Sequence, residues 1–147
     1  MPYITNADIQ QRVGAEAYVQ LADDDGDGQA DTGVVDEVRL GAEGEVNSYL
    51  ARRYAVPIDL TTHADLAGLL ASVTLDLAEY RLRVRRPPVP QETLGRRSQA
   101  VDWLTRVAGG ALDLPAAAPV AANTTRGTLG AASGEERLLS HEELSEF

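Results

Sequence analysis

Leu66-Ala67-Gly68-Leu69-Leu70-Ala71-Ser72-Val73-Thr74-Leu75-Asp76-Leu77-Ala78-Glu79-Tyr80-Arg81-Leu82-Arg83-Val84 is the stretch that decides the fold. Leu66, Leu69, Leu70, Val73, Leu77, Tyr80 and Val84 recur at the spacing that brings side chains to one face of an α-helix. No other stripe in the chain is as long. Pro87, Pro88 and Pro90 stop it, because proline lacks the amide proton and its ring clashes with the preceding turn. Upstream, Thr62 followed by Asp65 has the form of a helix-start pair, so the helix is expected to open there.

Working outward, the same period predicts a helix on each side. Downstream it runs from about Glu92 to Ala108, with Val101, Leu104 and Val107 on the core face, Trp103 near it, and Gly109-Gly110 as C-cap. Upstream it runs from about Val34 to Tyr54, with Val35, Val38, Ala42, Val46, Tyr49, Leu50 and Tyr54 inward and Pro57 as its end. A further helix starts at Thr5-Asn6-Ala7-Asp8, where Thr5 and Asp8 read as a short capping box, and carries Ile9, Val13, Ala17 and Leu21 in one stripe. No run alternates long enough to argue a strand. The expected fold class is all-α, a small four-helix bundle with an extended C-terminal tail.

The expected organisation is a helical domain over residues 1–110 and an Ala/Pro/Gly-rich tail over 111–147. Pro115, Pro119, Gly127, Gly130 and Gly134, set among Ala, Ser and Thr, describe a segment that cannot bury a core of its own. It is expected to be ordered by partners, with Leu138, Leu139, Leu144 and Phe147 as anchors at a protein interface.

The chain has no cysteine, which excludes disulfides, thiolate metal sites and a thiol nucleophile. A formal net charge of −10 argues against a sequence-independent grip on nucleic acid, which needs cations against phosphates. No stretch reads as a membrane span, since the low-charge run from Ala111 to Asn123 is broken by two prolines. Every basic residue is Arg. Residues 1–47 hold only Arg12 and Arg39 against many acids, whereas nine arginines fall between Arg52 and Arg106. An acidic half and a basic half on one small domain invite head-to-tail self-association. Arg81, Arg83, Arg85 and Arg86 at the end of the long helix either compensate its dipole or form a patch that meets the acidic stretch of a neighbouring copy.

That acidic stretch is Asp23-Asp24-Asp25-Gly26-Asp27-Gly28-Gln29-Ala30-Asp31. Counted from Asp23, it places Asp25, Asp27 and Asp31 at the third, fifth and ninth positions of a twelve-residue calcium loop and Gly28 at the sixth. The twelfth position is Val34, which cannot ligate, so the shell would have to close through Asp36 or Glu37. Calcium on Asp23, Asp25, Asp27 and Asp31 is therefore one reading. The other is a turn made by the glycines, with Asp31 or Thr32 capping the next helix. Catalysis finds little to stand on. His63 and His141 have no nucleophile pattern beside them, and paired carboxylates are ordinary on an acidic surface.

Several segments together resemble one family. They are Tyr3-Ile4-Thr5-Asn6-Ala7-Asp8-Ile9, the loop from Asp23 to Asp31, Val34-Val35, and Ser48-Tyr49-Leu50-Ala51-Arg52-Arg53-Tyr54-Ala55-Val56-Pro57. Leu75-Asp76-Leu77-Ala78-Glu79-Tyr80-Arg81-Leu82 and Ala100-Val101-Asp102-Trp103-Leu104 before Gly109-Gly110 complete the set. The chain resembles the Mu-like phage head–tail connector proteins over about residues 2–114, and the Tyr-Leu-Ala-Arg-Arg-Tyr segment before a proline is the most specific part. Ser98 stands where that family tends to have an aromatic. The tail after Leu114 lies beyond the resemblance. What the resemblance implies is a non-enzymatic virion protein, made in the host cytoplasm and placed at the head–tail junction. It implies a ring of copies, twelve in number, seated on the portal, contacting a downstream tail-side protein and letting DNA pass without specific binding. The rival from another class is a calcium-binding helical regulatory module. A second rival is a DNA-packaging or assembly factor absent from the mature particle.

Overall fold

The structure, a computed structural model, describes residues 2–114. The tail anchors Leu138, Leu139, Leu144 and Phe147 lie outside the described residues, as does His141. Among the described residues the protein is all-helical: α1 (Asn6–Val13), α2 (Ala15–Ala22), α3 (Thr32–Leu50), a 3-10 turn (Ala64–Leu66), α4 (Ala67–Val84) and α5 (Gln91–Gly109). None of these helices is long and apolar enough to cross a membrane.

α4 is the axle of the bundle and touches every other helix. That position widens its buried face beyond a single stripe. Leu70, Val73 and Leu77 are buried as the period requires, and so are Thr74, Ala78, Glu79 and Leu82. Leu69 and Val84, expected inward, are 41% and 45% exposed, because they sit at the edges of the face covered by α3 and α5. α3 packs Val35, Val38, Ala42, Val46 and Leu50 against the axle. α5 contributes Ala100, Leu104 and Val107, with Trp103 half-buried beside them.

The first expected helix is divided. Thr5 and Asp8 form the full capping box, with the Asp8 amide donating to Thr5 Oγ1 at 3.2 Å and the Thr5 amide to Asp8 Oδ2 at 2.7 Å. The helix then stops at Gly14, whose φ of 87° and ψ of 147° lie where only glycine goes readily. The stripe Ile9, Val13, Ala17, Leu21 thus runs over two helices, and α2 keeps only Ala22 fully buried.

Two further boundaries move. α3 ends at Leu50, ahead of Pro57, and Ala51 to Arg53 turn the chain away. Thr62 does not cap the long helix with Asp65. Its hydroxyl and that of Thr61 donate to Asp59 at 2.8 and 2.5 Å, and the helix opens through the 3-10 turn. At the far end Gly110 adopts φ 84° and caps α5, but the packed body continues to Leu114, which is 4% exposed. The Leu114 amide donates to the Tyr54 hydroxyl at 2.9 Å. Arg53 reaches the Leu112 carbonyl at 3.1 Å and Asp113 at 2.8 Å. Arg53 and Tyr54, at the end of the signature segment, therefore clamp the exit of α5.

Tyr3 does the corresponding work at the start. Its hydroxyl donates to Asn47 Oδ1 at 2.7 Å and accepts the Ile58 amide at 2.8 Å. Burial raises its pKa, partly offset by the Ile58 bond.

Candidate functional site

The acidic loop follows from its glycines. Gly26 and Gly28 take φ of 80° and 82°, which lets the backbone fold its amides inward onto carboxylates. Asp23 accepts from the Gly26 amide at 2.6 Å and from the Gly28 amide at 2.9 Å. Asp25 accepts the Asp27 amide at 3.1 Å, and Asp27 accepts the Gln29 amide at 2.8 Å. The loop is closed at its base by the Asp31 amide on the Ala22 carbonyl at 3.0 Å and the Asp24 amide on Asp31 Oδ2 at 2.8 Å.

Carboxylate oxygens of Asp23, Asp25 and Asp27 come within 4.8 Å of one another. Asp31, the fourth expected ligand, is not in that group and is taken up by the Asp24 amide. Neither expected closing residue has moved in. Asp36 accepts from Asn6 Nδ2 at 2.8 Å, and that bond holds its pKa low with help from Arg39. Glu37 lines a groove between α3 and α4 with Val34, Val38, Arg81, Val84 and Arg85. Desolvation works against the Asp23 charge, but the Gly26 and Gly28 amides outweigh it and lower its pKa. For Asp25 the Asp27 amide favours the charge, yet desolvation and the carboxylates of Asp27, Asp31 and Asp23 prevail and raise the pKa. Three hard oxygen donors suit a calcium-sized ion, which needs six to eight and would draw the rest from backbone and water.

The structure brings two arginines just past the end of α4 to this loop within one chain. Arg85 donates to the Leu21 carbonyl at 2.8 Å and to Asp24 Oδ2 at 2.5 Å. Arg86 donates to the Asp23 carbonyl at 2.6 Å and lies 3.4 Å from Asp24 Oδ1. α2 has no basic residue in its last turn, so these guanidiniums supply the C-terminal cation that its own sequence lacks. Arg81 pairs with Glu45 at 2.8 Å and lies across Gly41, where an added Cβ would stand 2.9 Å from its guanidinium. Arg83 pairs with Glu79 at 2.8 Å. The four arginines expected at an interface between copies all have partners inside the bundle. The charge complementarity between the acidic half and the basic half is satisfied in part by the chain itself.

A second ionic cluster was not anticipated. Glu79 is 2% exposed and is shared by Arg12 of α1 at 3.4 Å, Arg83 of α4 at 2.8 Å and Arg96 of α5 at 3.5 Å. The Thr93 hydroxyl donates to it at 3.3 Å, and Arg12 also pairs with Asp76. Burial raises the Asp76 pKa against the pull of Arg12. Arg97 lies over the Tyr80 ring, 4.4 Å from its centre. The sequence carried one signal for Glu79: it falls between Ala78 and Leu82 on the wide buried face of α4, with Arg83 one turn on.

The family model described as bacteriophage Mu, Gp36 matches residues 3–132. It spans nearly all of the described bundle and passes Leu114, where the resemblance read from the sequence stopped. No curated protein matches the chain.

Proposed function

The chain belongs to the bacteriophage Mu Gp36 family, and on that premise we propose that it is a structural protein of the phage particle, a head–tail connector. In this reading copies form a ring, twelve in number, on the portal. The ring extends the DNA channel and offers a platform to the next tail-side protein. The observation that carries the proposal is the family match across the whole helical body. The acidic character agrees with it: a net charge of −10 on subunits around a channel lets DNA pass without sticking.

A cyclic head-to-tail contact needs two different complementary surfaces on one subunit. Arg81, Arg83, Arg85 and Arg86 remain the proposed basic surface, although Arg85 and Arg86 are already joined to Asp24 within one chain. Exposed apolar side chains such as Leu40, Leu94 and Leu112 add further contact area. Residues 115–147, Leu138, Leu139, Leu144 and Phe147 among them, are proposed to meet the portal or a neighbouring copy. Residues 2–114 are proposed as the independently folding unit.

Imaging of the purified protein with and without portal tests the role. Rings seated on the portal support it, and a monomer indifferent to portal sinks it. Protein that helps particles form but is missing from finished ones would favour the assembly-factor reading.

One observation favours a second reading, the convergence of Asp23, Asp25 and Asp27. A calcium ion there would fix α2 to α3, as a part of the subunit or of a regulatory module. Calcium at a hundred times its Kd would add about 2.7 kcal/mol to stability. A rise in Tm that EDTA abolishes supports the ion, and an unchanged Tm at millimolar calcium removes it.

A further inference from the structure

α2 is held differently from the rest of the bundle. It has eight residues, below the roughly 12 that a helix needs to persist in water by itself. No side chain caps its start, and Ala22 is its only fully buried residue. Tyr18 and Leu21 lie half-buried against the core. At one end is Gly14, with a backbone conformation that leaves no hydrogen-bonded continuity between α1 and α2 beyond the cap itself. At the other end are the loop glycines and then Arg85 and Arg86, which hold the Leu21 and Asp23 carbonyls and the Asp24 carboxylate. That fastening is ionic and reaches solvent, with side-chain exposures of 29% for Arg85, 49% for Arg86 and 48% for Asp24.

We propose that α2 and the acidic loop form a releasable strap, hinged at Gly14 and buckled to the end of α4 by Arg85 and Arg86. Elements with few buried apolar groups open at low cost, whereas those that form the core open only when the whole domain unfolds. A buckle made of partly exposed charges is also weakened by salt, which leaves apolar packing intact or strengthens it. Opening has a second effect at the groove between α3 and α4. Arg85 is both the buckle and a wall of that groove, beside Val34, Val38 and Val84. When the loop lets go, this wall is freed and the seam under Ala22 is uncovered. The inference does not depend on the virion role.

Hydrogen exchange on the full chain, read by mass spectrometry, tests it. In the double variant Arg85→Gln/Arg86→Gln, amides of residues 15–31 are expected to lose protection roughly tenfold, since charge-assisted hydrogen bonds are removed. Amides of α4 and α5 keep theirs. Raising salt from about 0.05 M to about 1 M shifts the wild type the same way by a smaller factor. If the double variant does not fold, Asp24→Asn removes the carboxylate and leaves both carbonyl contacts, with the same separation expected in milder form. Loss of protection in α2 and α4 together overturns the proposal, and so does an α2 that is unchanged in variants and in salt.

Discussion

The half of the molecule built from α3, α4 and α5 and the half built from α1, α2 and the acidic loop are held by different forces. The first buries Leu50, Leu70, Leu77, Leu82 and Leu104 completely. The second buries only Ile9 and Ala22 fully, with Val13, Tyr18 and Leu21 half-buried. It relies more on polar contacts: Asn6 with Asp36 and Arg39, Arg12 with Asp76 and Glu79, and the two arginines on the loop. Apolar burial is insensitive to salt and falls away only when the chain unfolds, whereas exposed ion pairs contribute little each and yield to ionic strength. One small domain thus holds a core that is stable or unfolded as a whole and, beyond Gly14, the proposed strap of α2 and the loop, whose fastening is mostly ionic.

Leu77→Ala should do the most. The side chain is fully buried on the axle, and a cavity there costs about 3–4 kcal/mol. Urea unfolding should show one transition moved to lower denaturant, with every helix affected. A Leu77→Ala protein that loosened only α1 and α2 would break the comparison. Glu79→Gln comes next, at about 2–3 kcal/mol, because it leaves three guanidiniums facing one another across the junction of α1, α4 and α5. Partial exposure of those arginines keeps the cost below that of a fully buried charge. Since Glu79 joins both halves, the urea transition should shift and the α1 amides should also lose protection.

Gly14→Ala is expected to cost about 1–2 kcal/mol through backbone strain alone, since nothing lies within 4 Å of the added Cβ. The loss should appear first in exchange of residues 6–22, which would sharpen the division. The smallest effect is at Asp59. The Thr61 and Thr62 hydroxyls lower its pKa from 3.8 to about 2. A depressed carboxylate stabilises above its unfolded pKa, and that contribution is lost as pH falls toward 2. A carboxyl titration by NMR should place the midpoint there without any change in the helices on either side.

What the sequence disclosed follows the same division. The apolar period of α3, α4 and α5 is imposed by burial, so the residues announce it, and prolines and glycine marked two ends correctly. Gly14 passed unnoticed because Ile9, Val13, Ala17 and Leu21 keep helical spacing across it. A glycine inside a helical pattern is tolerated often enough that only its φ reveals a break. The partners of Arg85 and Arg86 lie more than sixty residues earlier in the chain, and local pattern carries no information about pairing at that separation. Glu79 was hidden for another reason. A carboxylate reads as surface until three cations from three helices are known to surround it.

The clamp at the end of α5 also gives the molecule a polarity. α3 starts at the acidic loop and ends at Leu50, just before Arg53 and Tyr54, so its two ends lie roughly 28 Å apart along one rigid rod. Leu114 is pinned at the second pole by Tyr54, and everything after it begins from that fixed point. The molecule thus carries the carboxylates of Asp23, Asp25 and Asp27 towards one end and the anchored Leu114 at the other. Probes attached at the two poles would report two events that share no side chains.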